Sequence, residues 1–187
     1  MKSSNKPSIT NKQKSIFLSF FTNPFFQFVF FSLVLIFSLL IFFSQSTITI
    51  FLEKWTTIIL NFLLNLLQIK TRMTGNLIML TDGSQIKFQI IPDCTGVYPF
   101  IILASLIISF PAIFIKKIWG ILFALLYTFL FNYLRLILLF VIARHSAKWF
   151  EIAHLIIWQV SFVLLIIIYF FWWIQWAKRI EKQKKLK

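Results

Sequence analysis

Residues 25–43, "FFQFVFFSLVLIFSLLIFF", run without a single charged side chain. A stretch of that length matches the roughly 20 apolar residues an α-helix needs to cross the hydrocarbon core of a bilayer. Within lipid, each backbone N–H and C=O must find its partner inside the protein, so such a run has one viable conformation, the helix. Further apolar stretches at 97–115, 118–143 and 153–176 repeat the constraint. The chain is 59% hydrophobic with 25 phenylalanines and only 13% charged residues, more apolar surface than a soluble domain of this size could hide. The expected fold class is therefore an all-α polytopic membrane protein with about four transmembrane helices. A cleaved signal peptide is the rival reading of residues 25–43, but its apolar core would be too long and no A-x-A-like site follows.

Formal net charge is +14, from 19 Lys and Arg against 5 Asp and Glu. Those charges gather in tails and short connections beside the apolar runs, the pattern of positive-inside topology rather than of nucleic-acid binding. Four lysines lie in the basic tail 1–24, Lys116 and Lys117 form a basic pair expected at a tight turn, and six basic residues occupy the tail 177–187. The opposite side would hold Lys54, Lys70, Arg72, Lys87, Arg144 and Lys148, together with the acids Glu53, Asp82, Asp93 and Glu151. Four spans place both termini in the cytoplasm, with residues 25–176 as one membrane domain.

Between the first and second spans the pattern changes. Residues 47–69 are long enough to span but contain Glu53, Lys54, Asn61, Asn65 and Gln68. The last three recur at steps of four and three, one polar stripe, which predicts an interfacial amphipathic helix. Residues 75–92 contain two β-prone runs around Asp82-Gly83, the signature of a small extracytoplasmic β-hairpin. A short loop, "RHSAKWFE", is expected before the last span.

Several polar residues stand out against this background. Arg135 falls inside the third apolar stretch, where arginine costs about 2.5–3.5 kcal/mol on insertion scales and usually faces the protein interior. Asn132 and Thr128 share its helix face. Its bland reading is an arginine snorkelling to the outer surface. His154 opens the last stretch, on a face with Glu151, Trp158 and Ser161. His145, in the loop, competes with it. Cys94, the only cysteine, excludes an internal disulfide and a multi-cysteine metal site. It sits at the mouth of the second span, where a helix N-terminus favours the thiolate. Asp93 opposes that effect or caps the helix, and Gly96 permits close backbone approach. A buried, inert cysteine is the alternative.

Taken together, a thiol, an imidazole and a guanidinium from three spans supply the parts for covalent acyl transfer. Cysteine attacks a carbonyl, histidine carries the proton, and arginine holds the oxyanion or a carboxylate. No H-E-x-x-H occurs, which disfavours a zinc protease. No cofactor, metal or nucleic-acid partner is expected.

With "CTG" at 94–96, "NYLR" at 132–135 and "HLIIW" beginning at His154, in that order, the chain resembles the exosortase/archaeosortase family over roughly residues 75–176. The resemblance implies a membrane cysteine protease/transpeptidase. Cys94 would be its nucleophile, Arg135 and His154 would complete the catalytic set, and Asn132 and Gly96 would support it. It further implies, as partners besides the lipid bilayer, exported proteins with a C-terminal motif, one membrane helix and a basic tail, processed at the outer face of the cytoplasmic membrane. Two other classes remain open from sequence: a non-catalytic scaffold or assembly factor of the same fold, and a membrane phosphatase, for which no "RP" motif or second membrane histidine is present.

Overall fold

The computed structural model describes residues 23–44, 47–81 and 87–185; the side chains of 147, 148, 151, 154–159 and 180–185 lie outside that description. Five helices and a small sheet make up the described chain: α1 (Pro24–Ser44), α2 (Ile48–Leu66), strands β1 (Thr71–Thr74), β2 (Leu77–Leu80) and β3 (Lys87–Gln89), a 3-10 turn (Pro92–Cys94), α3 (Val97–Ser109), α4 (Phe114–His145) and α5 (Ala147–Lys185). This is an all-α membrane protein with a three-stranded appendage. Among the described residues three segments are long and apolar enough to cross a bilayer: Pro24–Ser44, Phe114–His145 and Val160–Arg179.

The start of α1 is set locally. Asn23 accepts the Phe25 N–H on its side-chain oxygen at 3.0 Å, and Pro24 occupies the first helical position, where its missing N–H costs nothing. Phe28 then meets Phe110 edge-on and stacks on Phe170, which ties α1 to the C-terminal end of α3 and to the middle of α5.

The second expected span, 97–115, is shorter than the sequence suggested. Helix α3 has 13 residues and ends at Ser109. Pro111 is the cause, because it removes a helical donor and forces the residue before it out of the α region; Phe110 is accordingly extended, at φ −70° and ψ 137°. The connection therefore lies at 110–113 and not at Lys116-Lys117, which belong to the first turns of α4. Both lysines serve neighbouring helix ends instead. Lys117 Nζ donates to the Ile108 carbonyl at 2.6 Å, and buried Lys116 Nζ donates to the Ala177 carbonyl at 2.8 Å.

The expected loop at 144–151 is also corrected. Only Ser146 leaves the helical region, its N–H donating back to Ile142 and its carbonyl accepting the Phe150 N–H that opens α5. A helix need not stop where apolarity stops, so polar composition alone misplaced this boundary; α5 likewise continues through most of the basic tail. Helices α4 and α5 run antiparallel. Tyr169 Oη donates to the Gly120 carbonyl at 2.6 Å, and Trp173 Nε1 donates to that of Lys116 at 3.3 Å. Gly120 permits this approach: a Cβ there would stand 2.8 Å from two atoms of the Trp173 indole.

Helix α2 is amphipathic, but its polar stripe serves the fold. Thr71, at the start of β1, donates from Oγ1 to Asn61 Oδ1 at 2.9 Å and accepts from Asn65 Nδ2 at 3.1 Å. The helix ends with Gln68 at φ 62°, the Gln68 N–H bonded to the Asn65 carbonyl and the Ile69 N–H to that of Leu64. That is a Schellman motif with glutamine where glycine is usual.

The hairpin expected at 75–92 is present and extended by a strand. Antiparallel β2 and β3 pair Ile78 with Phe88, while β1 pairs Thr74 with Leu77 across Gly75, at φ 64°. Asp82-Gly83 lies outside the described residues. Ile78 and Leu80 press onto Leu60 and Leu64 of α2 and Leu136 and Phe140 of α4, so the sheet roofs one end of the bundle.

Candidate active site

The segment that carries Cys94 is shaped by its own residues. Pro92 opens the 3-10 turn, and the N–H groups of Cys94 and Thr95 donate to the carbonyls of Ile91 and Pro92 at 2.8 and 3.0 Å. The Thr95 hydroxyl, fully buried, donates to the Pro92 carbonyl at 2.7 Å and accepts the Val97 N–H at 3.4 Å. Gly96 then turns into α3 at φ 78°, a left-handed conformation that costs other residues about 1–2 kcal/mol. Cys94 consequently stands beside the helix mouth, and Thr95, not Asp93, satisfies a donor of its first turn. Thr95 was in plain view within "CTG", but its use as a staple depends on backbone geometry that periodicity does not report.

Helix α4 meets this segment with Asn132. Its Nδ2 donates to the Cys94 carbonyl at 2.7 Å, across 38 positions of sequence. A Cβ on Gly96 would lie 3.1 Å from Asn132 Cβ and 3.2 Å from Cγ, so the absent side chain gives Asn132 room. One turn on is Arg135, only 6% exposed, with its guanidinium 4.5 Å from the centre of the Phe162 ring of α5. It does not snorkel to water. Asn132 Oδ1 and Arg135 Nε and Nη1 are buried without a hydrogen-bond partner among the described residues. Buried polar atoms are nearly always paired, and leaving one unpaired costs about 1–3 kcal/mol. Among the described residues, one acceptor and two donors thus lie within one helical turn of each other without a partner.

Arg135 and Cys94 line the same cavity of about 250 Å³, walled also by Phe88 of β3, Phe140 of α4 and Phe150 of α5. Arg135 also borders a second hollow of about 160 Å³, shared with Asn132, Ser161 and Phe162. The aromatic wall is continuous: the Phe88 ring lies 4.1 Å from that of Phe140 and 5.1 Å from that of Phe150. Phe88 and Phe162 could not be singled out from sequence among 25 phenylalanines.

Burial pushes the Cys94 thiol above its ordinary pKa. The hydrogen bond with the Ile91 backbone and the charge of Arg135 pull it down, while Asp93 and Glu53 push it further up. Desolvation of the anion is the largest influence, so the shift is opposite to the one expected of a helix N-terminus.

The structure brings Cys94, Gly96, Asn132 and Arg135 together. The side chain of His154 lies outside the described residues, but its backbone place on α5 is informative. On α5 it is Phe162 that meets the Arg135 guanidinium, and His154 lies eight residues before it, about 12 Å along the helix at about 1.5 Å per residue. His154 also falls one turn after Phe150, which lines the cavity. His145 is exposed in the last turn of α4. No group of three or more His, Cys, Asp or Glu suited to a metal occurs among the described residues.

Residues 14–172 match the family model for transmembrane exosortases (Exosortase_EpsH), and the chain belongs to that family. No curated protein and no solved structure matches it.

Proposed function

We propose that this exosortase-family chain is a cysteine protease/transpeptidase that cleaves C-terminal sorting signals of exported proteins and passes the acyl group to a surface acceptor. One observation carries the reading: Arg135, whose Nε and Nη1 are buried without a hydrogen-bond partner among the described residues, lines the cavity that also holds Cys94. Such donors, fixed before the reaction in a place poor in water, stabilise an oxyanion as it forms.

Sγ of Cys94 attacks the substrate carbonyl carbon and gives its proton to His154. The carbonyl oxygen becomes negative against Nε and Nη1 of Arg135. As the C–N bond breaks, His154 returns the proton to the leaving amine, and a thioester on Cys94 remains. An acceptor amine or water then attacks the thioester, loses its proton to His154, and releases the thiol. A raised thiol pKa suits this order, in which proton transfer accompanies attack.

The proposed site faces outward, with both termini cytoplasmic. On α4, Lys117 bonds the C-terminal end of α3 and Asn132 bonds Cys94, just before its N-terminal end, about 22 Å apart at about 1.5 Å per residue. With Lys116 and Lys117 at the cytoplasmic boundary, Cys94 lies in the outer part of a core about 30 Å thick. A substrate anchored by one membrane helix and a basic tail would present its flanking peptide at that depth.

Cys94→Ala should abolish processing in native membranes and cause a membrane-anchored precursor to accumulate. Arg135→Ala should slow it about a hundredfold or more, the loss typical of an oxyanion donor. His154→Ala should match Cys94→Ala, and His145→Ala should process normally. Normal processing by Cys94→Ala refutes the reading.

A further inference from the structure

The strand nearest Cys94 is an edge. Among the described residues the sheet order is β1-β2-β3, and β3 pairs only with β2. The Ile90 N–H donates to the Asn76 carbonyl at 2.9 Å, which fixes the phase of the ladder, because hydrogen-bonded pairs recur at every second residue of an antiparallel pair. Phe88 is therefore the β3 residue bonded to β2, opposite Ile78. The main-chain N–H and C=O of Lys87 and Gln89 point the other way.

That free edge runs along the cavity. Lys87, Phe88, Gln89 and Ile90 all line it, although their side chains alternate between two faces. Four consecutive residues can border one hollow only if the hollow follows the strand's edge. Cys94 and Arg135 line the same hollow, and Nε and Nη1 of Arg135 are buried without a hydrogen-bond partner among the described residues. Exposed edges are usually blunted against other chains; this one keeps only its short length and Lys87 for protection.

We infer that the β3 edge is the docking strand for the substrate, which binds as an extended polypeptide and adds a fourth strand beside Lys87–Gln89. Strand addition takes affinity from main-chain hydrogen bonds and leaves alternate side chains to specify sequence. An added strand lies about 4.8 Å from β3, along a cavity that opens onto Cys94. Its main chain carries the carbonyls that the Arg135 donors lack. The inference rests on the protease reading above and adds to it how the peptide is held.

The test uses the full-length chain in native membranes. Gln89→Pro removes an outward N–H and leaves the Phe88–Ile78 bonds in place, since proline is tolerated on edge strands. Gln89→Thr changes the side chain and keeps the N–H. The readout is processing of the precursor that accumulates beside Cys94→Ala, and alkylation of Cys94 by N-ethylmaleimide reports whether the site is intact. Gln89→Pro should lose about tenfold in processing relative to Gln89→Thr, with alkylation the same in both. Normal processing by Gln89→Pro, or an equal loss in Gln89→Thr, overturns the inference.

A second measurement stands if the proline variant fails to fold. With Cys94→Ala and Gln89→Cys combined, disulfide capture of single cysteines moved along the precursor should alternate with a period of two. Capture that is flat, or helical in period, overturns strand addition while leaving the protease reading intact. If no precursor accumulates with Cys94→Ala, both fall together.

Discussion

Gly96→Ala would strike the contact on which the site is built. The perturbation has two parts. A left-handed residue with a Cβ costs about 1–2 kcal/mol, and Gly96 sits at φ 78°. The new methyl would also lie 3.1 Å from Asn132 Cβ and 3.2 Å from Cγ, so the amide must move. A shift of that kind lengthens the 2.7 Å bond from Nδ2 to the Cys94 carbonyl, which weakens a hydrogen bond worth about 0.5–1.5 kcal/mol. Together the variant should lose about 1–3 kcal/mol. The assay is reversible unfolding in detergent, with processing measured in parallel. Two companion variants separate the parts. Gly96→Asn keeps the clash but tolerates left-handed backbone better, so it should recover only part of the loss. Asn132→Ala removes the atoms that are struck, so the double variant with Gly96→Ala should cost less than the sum of the singles. Additive losses, or a Gly96→Ala protein as stable and active as the parent, would refute the argument that Gly96 exists to seat Asn132 against Cys94.

Gly120→Ala should destabilise the α4–α5 pair by about 1–3 kcal/mol, the usual cost of overpacking, because the methyl meets the Trp173 indole; unfolding in detergent measures it. Gln68→Gly should stabilise the protein by about 1 kcal/mol by relieving the left-handed end of α2, seen as a higher unfolding midpoint. For Cys94, the folded-state pKa is raised, so its contribution to stability is complete below the ordinary thiol range and is lost as pH rises through the folded value. The rate of N-ethylmaleimide alkylation against pH should show a midpoint above that range. Asp93→Asn should bring the midpoint down and Arg135→Gln should raise it, as the signs of the two charges require.

Which parts of this could be read from the chain depends on the range of the forces involved. Residues 25–43 announced a helix because a charge-free run in lipid has no other way to satisfy its backbone. The α2 stripe of Asn61 and Asn65 was legible as a stripe, since helical spacing is local. That it holds Thr71 rather than facing water was not, because amphipathicity says which face differs and not what meets it. Pro111 is a local signal that ends α3 at Ser109, although the apolar run continues past it. The strand 71–74 was missed for a similar reason: "TRMT" has no alternation of its own and becomes a strand by pairing with Leu77–Leu80 across Gly75.

By itself, then, the sequence determined a helical membrane protein with a basic pattern at its ends and a set of polar residues too costly to be in lipid without purpose. Hydropathy, charge and helix periodicity act over a turn or a span, and they are written in consecutive residues. Tertiary structure alone decided that the Asn132 amide grips the Cys94 carbonyl, that Arg135 shares a cavity with the thiol, and that a strand edge borders it. Those facts join residues tens of positions apart. They depend on how helices pack and on which buried groups are left without partners, neither of which a linear pattern records. Even the direction of the thiol's pKa shift followed packing, since burial is its largest cause.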